Sequence, residues 1–145
     1  MAVPSSEPGL KPVQLFVGLG CRRGCPVETL ASLLEQTLKA HDLPQAAVAG
    51  LASIDLKQHE PGLQQLARQL NVPLLFFSVP QLAAFEQQLS HRSTVSYQHT
   101  GCYGVAESAA LALAEHLTGA AQLCVTRTLL SDASLALATS PRFGR

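Results

Sequence analysis

The residue types that can bind an anion or move a proton fall in three short segments. The first is Gly18-Leu19-Gly20-Cys21-Arg22-Arg23-Gly24-Cys25-Pro26. Its glycines allow close backbone approach, and Arg22 and Arg23 offer forked donors for carboxylate or phosphate. A helix opening at Pro26 would add free N–H groups and the positive end of its dipole. The pattern is G-x-G-x-x-x-G. It has neither the spacing of a dinucleotide fingerprint nor the Lys-Ser/Thr of a phosphate loop. A tight strand-to-helix turn with solvated arginines accounts for the same residues.

The second segment is Ser53-Ile54-Asp55-Leu56-Lys57. Asp55 is the candidate general acid or base, and Ser53 and Lys57 are candidate ligand contacts. A Ser/Thr or Asx turn that stops a strand is the structural alternative. The third segment runs from Thr100 to Glu107, with Thr100, Gly101 and Gly104 before an alanine-rich stretch. It can form another anion cradle. Glu107 can contact a ligand or only compensate a helix dipole, and Gly104 can serve only close packing. Cys21 lies inside the first segment. Its C-x3-C spacing with Cys25 is neither a redox C-x-x-C nor a paired zinc knuckle, so no metal and no resident cofactor is expected. Cys124, in an apolar run, is expected to be buried. The five histidines are scattered without H-x-x-x-H or H-E-x-x-H spacing, and no G-x-S-x-G elbow occurs.

These segments need elements to position them. Apolar runs at 13–19, 46–51 and 74–77 read as buried strands. Helices are expected from Pro26 to about 41, on Leu30, Leu33, Leu34 and Leu38, and from Pro61 to Asn71, on Leu63, Leu66, Ala67 and Leu70. Ser78 with Gln81 forms a capping box for a helix reaching about Leu89. Residues 53–60 read as polar loop, 91–99 as irregular and 103–117 as helix. Strands at 122–128 and 133–139 form a hairpin. Strands alternating with helices give an α/β class: a three-layer α/β/α sandwich on a mostly parallel sheet, made mixed by the C-terminal hairpin. Ligands of such sheets bind at the carboxyl ends of the strands, where the three segments fall.

Composition narrows the function classes. Ten basic and ten acidic side chains leave no excess to bind nucleic acid. With 47% hydrophobic and 14% charged residues, the 145-residue chain is expected to form one domain over 12–140 with tails at 1–11 and 141–145. No apolar run approaches a membrane span and no signal peptide is visible, so a cytoplasmic protein without membrane contact is expected.

Taken together, VGLGCRRGCPVETL at 17–30, LASIDLKQHEPGLQQLARQLNVPLLFFSVPQL at 51–82 and TGCYGVAESAAL at 100–111 resemble the CobE / CbiG C-terminal domain family of cobalamin biosynthesis. The closing hairpin at 124–138 matches less tightly. The resemblance implies a three-layer fold and a part in building the corrin ring. In longer relatives the domain ends a protein that opens the δ-lactone of a cobalt-precorrin and releases acetaldehyde; this chain is expected to lack the N-terminal part of those relatives. The implied partner is a precorrin- or hydrogenobyrinic-type tetrapyrrole, with other enzymes of the pathway beside it. The implied contacts are Gly18, Gly20, Arg22, Arg23 and Gly24, then Ser53, Asp55 and Lys57, then Thr100, Gly101, Gly104 and Glu107. Such macrocycles carry acetate and propionate carboxylates, which guanidinium forks and backbone amides suit. One departure is Cys25, where relatives usually have a Ser or Thr before the first helix. A thiol is a poor cap, at a cost of about 0.5–2 kcal/mol. A nucleotide- or phosphate-binding module and a non-catalytic docking domain are the competing functions. Both processing and carriage of the macrocycle are compatible with these residues.

Overall fold

The computed structural model describes residues 14–89, 104–131 and 133–140. Five strands form one sheet: β1 (Leu15–Cys21), β2 (Val48–Ile54), β3 (Leu74–Phe77), β4 (Gln122–Leu130) and β5 (Ala133–Thr139), in the order β3-β2-β1-β5-β4. β1, β2 and β3 pair in parallel, and β5 runs antiparallel between β1 and β4. Four strands thus point one way. The helices are α1 (Val27–Ala40), α2 (Pro61–Leu70), α3 (Val79–Ala83) and α4 (Val105–Thr118). None of the described helices is long and apolar enough to cross a membrane.

Each helix lies where its sequence pattern sends it. α1 buries Leu30, Leu33, Leu34 and Leu38, and α2 buries Leu63, Leu66 and Ala67. Both pack on the face that presents Leu15, Val17, Leu19, Leu135 and Leu137. α2 ends at Asn71, whose left-handed conformation returns its N–H to Ala67 and Arg68. The opposite face presents Phe16, Ala52, Ala136 and Ala138 to α4, whose residues from Val105 to Ala114 are all buried. Helices on both faces complete the three layers. Ser78 and Gln81 form the expected capping box.

Several boundaries differ from the sequence expectations. The second strand starts at Val48 and extends through Ile54, because Ser53 is buried and hydrogen-bonded instead of turning into solvent. α3 stops at Ala83, followed by a short 3-10 turn at Glu86–Gln88. The closing hairpin is tighter than expected, with only residues 131 and 132 between the strands. Cys124 is exposed and not buried. β4 is an edge strand, and its side chains alternate: Gln122, Cys124 and Thr126 face out while Val125 packs inward. Thr100, Gly101, Cys102, His91, His99, the irregular stretch at 91–99 and both tails lie outside the described residues.

Candidate functional site

The parallel strands deliver their carboxyl ends to one rim of the sheet. The β4–β5 turn joins them there, because Cys21 at the end of β1 pairs with Ala133 at the start of β5. α4 also begins at this rim: a Cβ built on Gly20 would lie 3.9 Å from the Val105 Cβ. The first segment, the second and the described end of the third therefore meet along one edge.

In the first segment, Arg22 to Cys25 form a turn closed by the Cys25 N–H donating to the Arg22 carbonyl at 3.1 Å. Gly24, third in the turn, has φ +78°, the sign a type II turn takes there. Its N–H donates to Glu60 Oε1 at 2.8 Å. The amides of Gly24 and Cys25 are thus committed within the protein, while the Arg22 and Arg23 side chains stand exposed. α1 starts one residue later than expected, with Pro26 as a cap that supplies no side-chain bond. Cys25 turns inward instead of capping, its buried thiol 3.9 Å from the Pro26 carbonyl.

Gly62, in the first turn of α2, fits against this loop so closely that a Cβ would lie 2.5 Å from the Cys25 carbonyl oxygen. The first loop and the start of α2 are therefore in backbone contact. The half-buried Cys21 thiol feels charges from both segments. Burial pushes it up to about 11, the nearby Cys25 adds to the shift, Lys57 opposes it and Glu60 adds a smaller push. Cys21 is a neutral thiol at neutral pH, unlike a reactive cysteine.

Ser53 is fully buried, and its hydroxyl donates to the Leu19 carbonyl at 2.7 Å. The β1–β2 register ends at Gly18 and Ala52, so this bond serves a carbonyl just past the last pair. Asp55 opens a 3-10 turn through Lys57, with the Gln58 N–H on its carbonyl at 3.1 Å. Asp55 and Lys57 are half-buried, and Leu56 between them is 61% exposed.

Glu107 is 1% exposed, and its Oε2 accepts from the Arg127 N–H at 2.8 Å. Val125 pairs with Leu137 but Thr128 with Leu135, so Thr126 and Arg127 face Ala136 alone. Glu107 takes the N–H at this bulge. Gly18 lies beneath α4, where a Cβ would overlap the Ala106 carbonyl oxygen. Gly104 is the buried, left-handed start of α4.

The rim thus gathers Gly20, Cys21, Arg22, Arg23, Gly24, Asp55 and Lys57. It directs Gly18, Ser53 and Glu107 to contacts inside the fold. Glu60 was not among the residues singled out from sequence. Its position just before Pro61 marks it as an acid at the rim end of α2, but its partner lies 36 residues earlier. Among the described residues no group of three or more His, Cys, Asp or Glu can hold a metal ion. The rim can offer carboxylates the cations of Arg22, Arg23 and Lys57, with the exposed Leu56 and the carboxylate of Asp55 on the same loop as Lys57.

The family model described as cobalamin synthesis G C-terminus matches residues 15–138. Protein CobE of Sinorhizobium sp is 34% identical over 124 residues, covering 86% of this chain and 79% of that protein. The cobalt-precorrin-5A hydrolase of Salmonella typhimurium is 42% identical over 77 residues, covering 53% of this chain but only 22% of the hydrolase. A crystal structure of CobE, a protein from the cobalamin (vitamin B12) biosynthetic pathway, superposes with a TM-score of 0.86 at 45% identity, over 96% of this chain and 100% of that one. With the matched residues running from the first residue of β1 to the next-to-last of β5, the chain belongs to the CobE / CbiG C-terminal family and is a cobalamin biosynthesis protein.

Proposed function

We propose that the chain binds a corrin-type tetrapyrrole intermediate of cobalamin biosynthesis at the strand-end rim. The observation that carries this is the pinned turn at Arg22–Cys25, which exposes two arginines on the same rim as the loop that carries Lys57 and the exposed Leu56. Precorrin-type macrocycles combine an apolar ring with a fringe of carboxylates. Guanidinium forks and an ammonium suit the fringe, and an exposed leucine suits the ring. Two of the first loop's amides are already engaged, so anion recognition in that loop falls to side chains more than to a backbone cradle.

The relatives supply the ligand class. One is named for acting on cobalt-precorrin-5A, and this chain spans about a fifth of it. Hydrolysis is thus named for a longer protein, in which this domain can take the binding part. Asp55, on the loop that carries Lys57, is the candidate to move a proton if chemistry follows binding. The other enzymes of the pathway would supply and receive the intermediate.

The test is incubation with purified pathway intermediates, followed by absorbance and mass spectrometry. A bound pigment of unchanged mass identifies a carrier, and a mass change identifies an enzyme. The double variant Arg22→Ala, Arg23→Ala is expected to weaken binding while leaving the fold intact, because exposed charged side chains contribute about 1 kcal/mol or less each to stability. Unchanged affinity in that variant removes the arginine turn from the site.

A further inference from the structure

We propose that Glu60 is a positioning residue for tetrapyrrole recognition, acting through the Gly24 N–H to fix the direction in which Arg22 and Arg23 are presented. The inference rests on the binding role proposed above. Glu60 sits at the N-cap of α2 but does not cap its own helix with its side chain. Its carboxylate instead crosses to the Gly24 N–H at 2.8 Å.

The loop that carries Glu60 is braced from behind. The Gln64 Nε2 of α2 donates to the Gln58 carbonyl at 2.8 Å, and the Glu60 N–H donates to the Lys57 carbonyl at 3.0 Å. The Gly62 backbone then closes against the Cys25 carbonyl. The turn with the arginines is therefore held by a rigid element outside it. A flexible arginine loop would lose conformational freedom on binding a carboxylate; a pinned one has lost it already.

Charge alone predicts the opposite behaviour. A carboxylate beside an arginine turn repels an acidic ligand, so a Glu60 that acted only as a charge would weaken binding, and removing it would tighten binding. A Glu60 that acts by position predicts that its removal weakens binding, and that a neutral acceptor of the same length rescues it.

The test compares wild type with Glu60→Gln, Glu60→Asp and Glu60→Ala. The probe is cobyrinic acid, a corrin with free acetate and propionate carboxylates; cobinamide, with those carboxylates amidated, is the control. Trypsin cleavage after Arg22 and Arg23 reports the order of the turn without any ligand. Glu60→Ala is expected to weaken cobyrinic acid binding about tenfold, roughly 1.4 kcal/mol, and to speed cleavage. Glu60→Asp, too short to span the gap, is expected to do the same. Glu60→Gln keeps an acceptor at the same reach and should match wild type in both measurements.

Tighter binding in Glu60→Ala and Glu60→Gln alike overturns the proposal in favour of a repelling charge. Faster cleavage at unchanged affinity overturns it in favour of a purely structural clasp. If Glu60→Ala does not fold, Glu60→Asp against Glu60→Gln decides by the same criteria. A wild type that binds neither corrin overturns the proposed function and this inference with it. A wild type that binds, with variants that bind equally, overturns this inference alone.

Discussion

On one face of the sheet Leu15, Val17, Leu19, Leu135 and Leu137 meet the leucines of α1 and α2; on the other, Gly18, Ala136 and Ala138 meet the alanines of α4. The first face is held by long side chains, each contributing on the order of 1.5–3 kcal/mol by burial. Such side chains can adopt other rotamers when a neighbour changes. The second face brings a helix backbone against a strand backbone. Its small side chains bury less area, so it depends on dense van der Waals contact at short range. This close approach seats the start of α4 at the rim. The comparison teaches that the glycines of G-x-G-x-x-x-G do different work: Gly18 admits a helix, whereas Gly24 shapes a turn.

The sharpest way to break that comparison is Gly18→Ala. Its Cβ would overlap the Ala106 carbonyl oxygen and crowd the Ala110 amide, and backbone cannot rotate aside. The expected loss is about 3 kcal/mol or more, read by urea unfolding. A loss below about 1 kcal/mol, within the range of a tolerated swap, would mean that α4 is not in backbone contact with β1.

Next in size is Glu107→Ala, which strips the acceptor from the Arg127 N–H at the bulge. About 1–3 kcal/mol should be lost, with Glu107→Gln less affected because it keeps an oxygen acceptor. If stability holds and corrin binding falls instead, Glu107 belongs to the ligand and not to the sheet. Gly24→Ala should cost about 1–2 kcal/mol, from backbone conformation alone. A Cβ there meets nothing within 4 Å, so the whole cost lies in the positive φ. Gly24→Asn, which tolerates that conformation better, should cost less in the same unfolding experiment.

The last effect is confined to high pH. The Cys21 thiol is raised from 9.0 to about 11 in the folded protein, chiefly by burial. The native state therefore keeps a proton that the unfolded chain gives up sooner. The resulting stabilisation is full below pH 9.0 and is lost as pH rises toward about 11. The difference in thermal stability between wild type and Cys21→Ser should change across this window to the disadvantage of wild type, and a constant difference would mean that the thiol is not shielded from water in the folded protein.

The amphipathic helices were readable because their information is local. Leucines recurring at helical spacing select one face whatever lies opposite, and Ser78 with Gln81 closes a cap within four residues. Ser53 was harder. A hydroxyl after an apolar run reads as the end of a strand, yet the Leu19 carbonyl on the neighbouring strand makes its burial favourable. Cys124 failed for the reverse reason, since an apolar neighbourhood in sequence does not show which strand will be the sheet edge.

The sequence by itself determined the class of the fold and the segments to inspect, because these rest on periodicity and on residue types a few positions apart, and it pointed to the family through the resemblance of those segments. Only the tertiary structure decided what those residues do. Whether Glu107 faces a ligand or a bulge, whether Gly18 lines a loop or admits a helix, and which acid holds Gly24 all depend on partners 20 or more residues away for the two hydrogen bonds and on a helix far along the chain for Gly18. A hydrogen bond or a steric contact needs two groups in one place, and a residue's own neighbours in the chain do not specify the second.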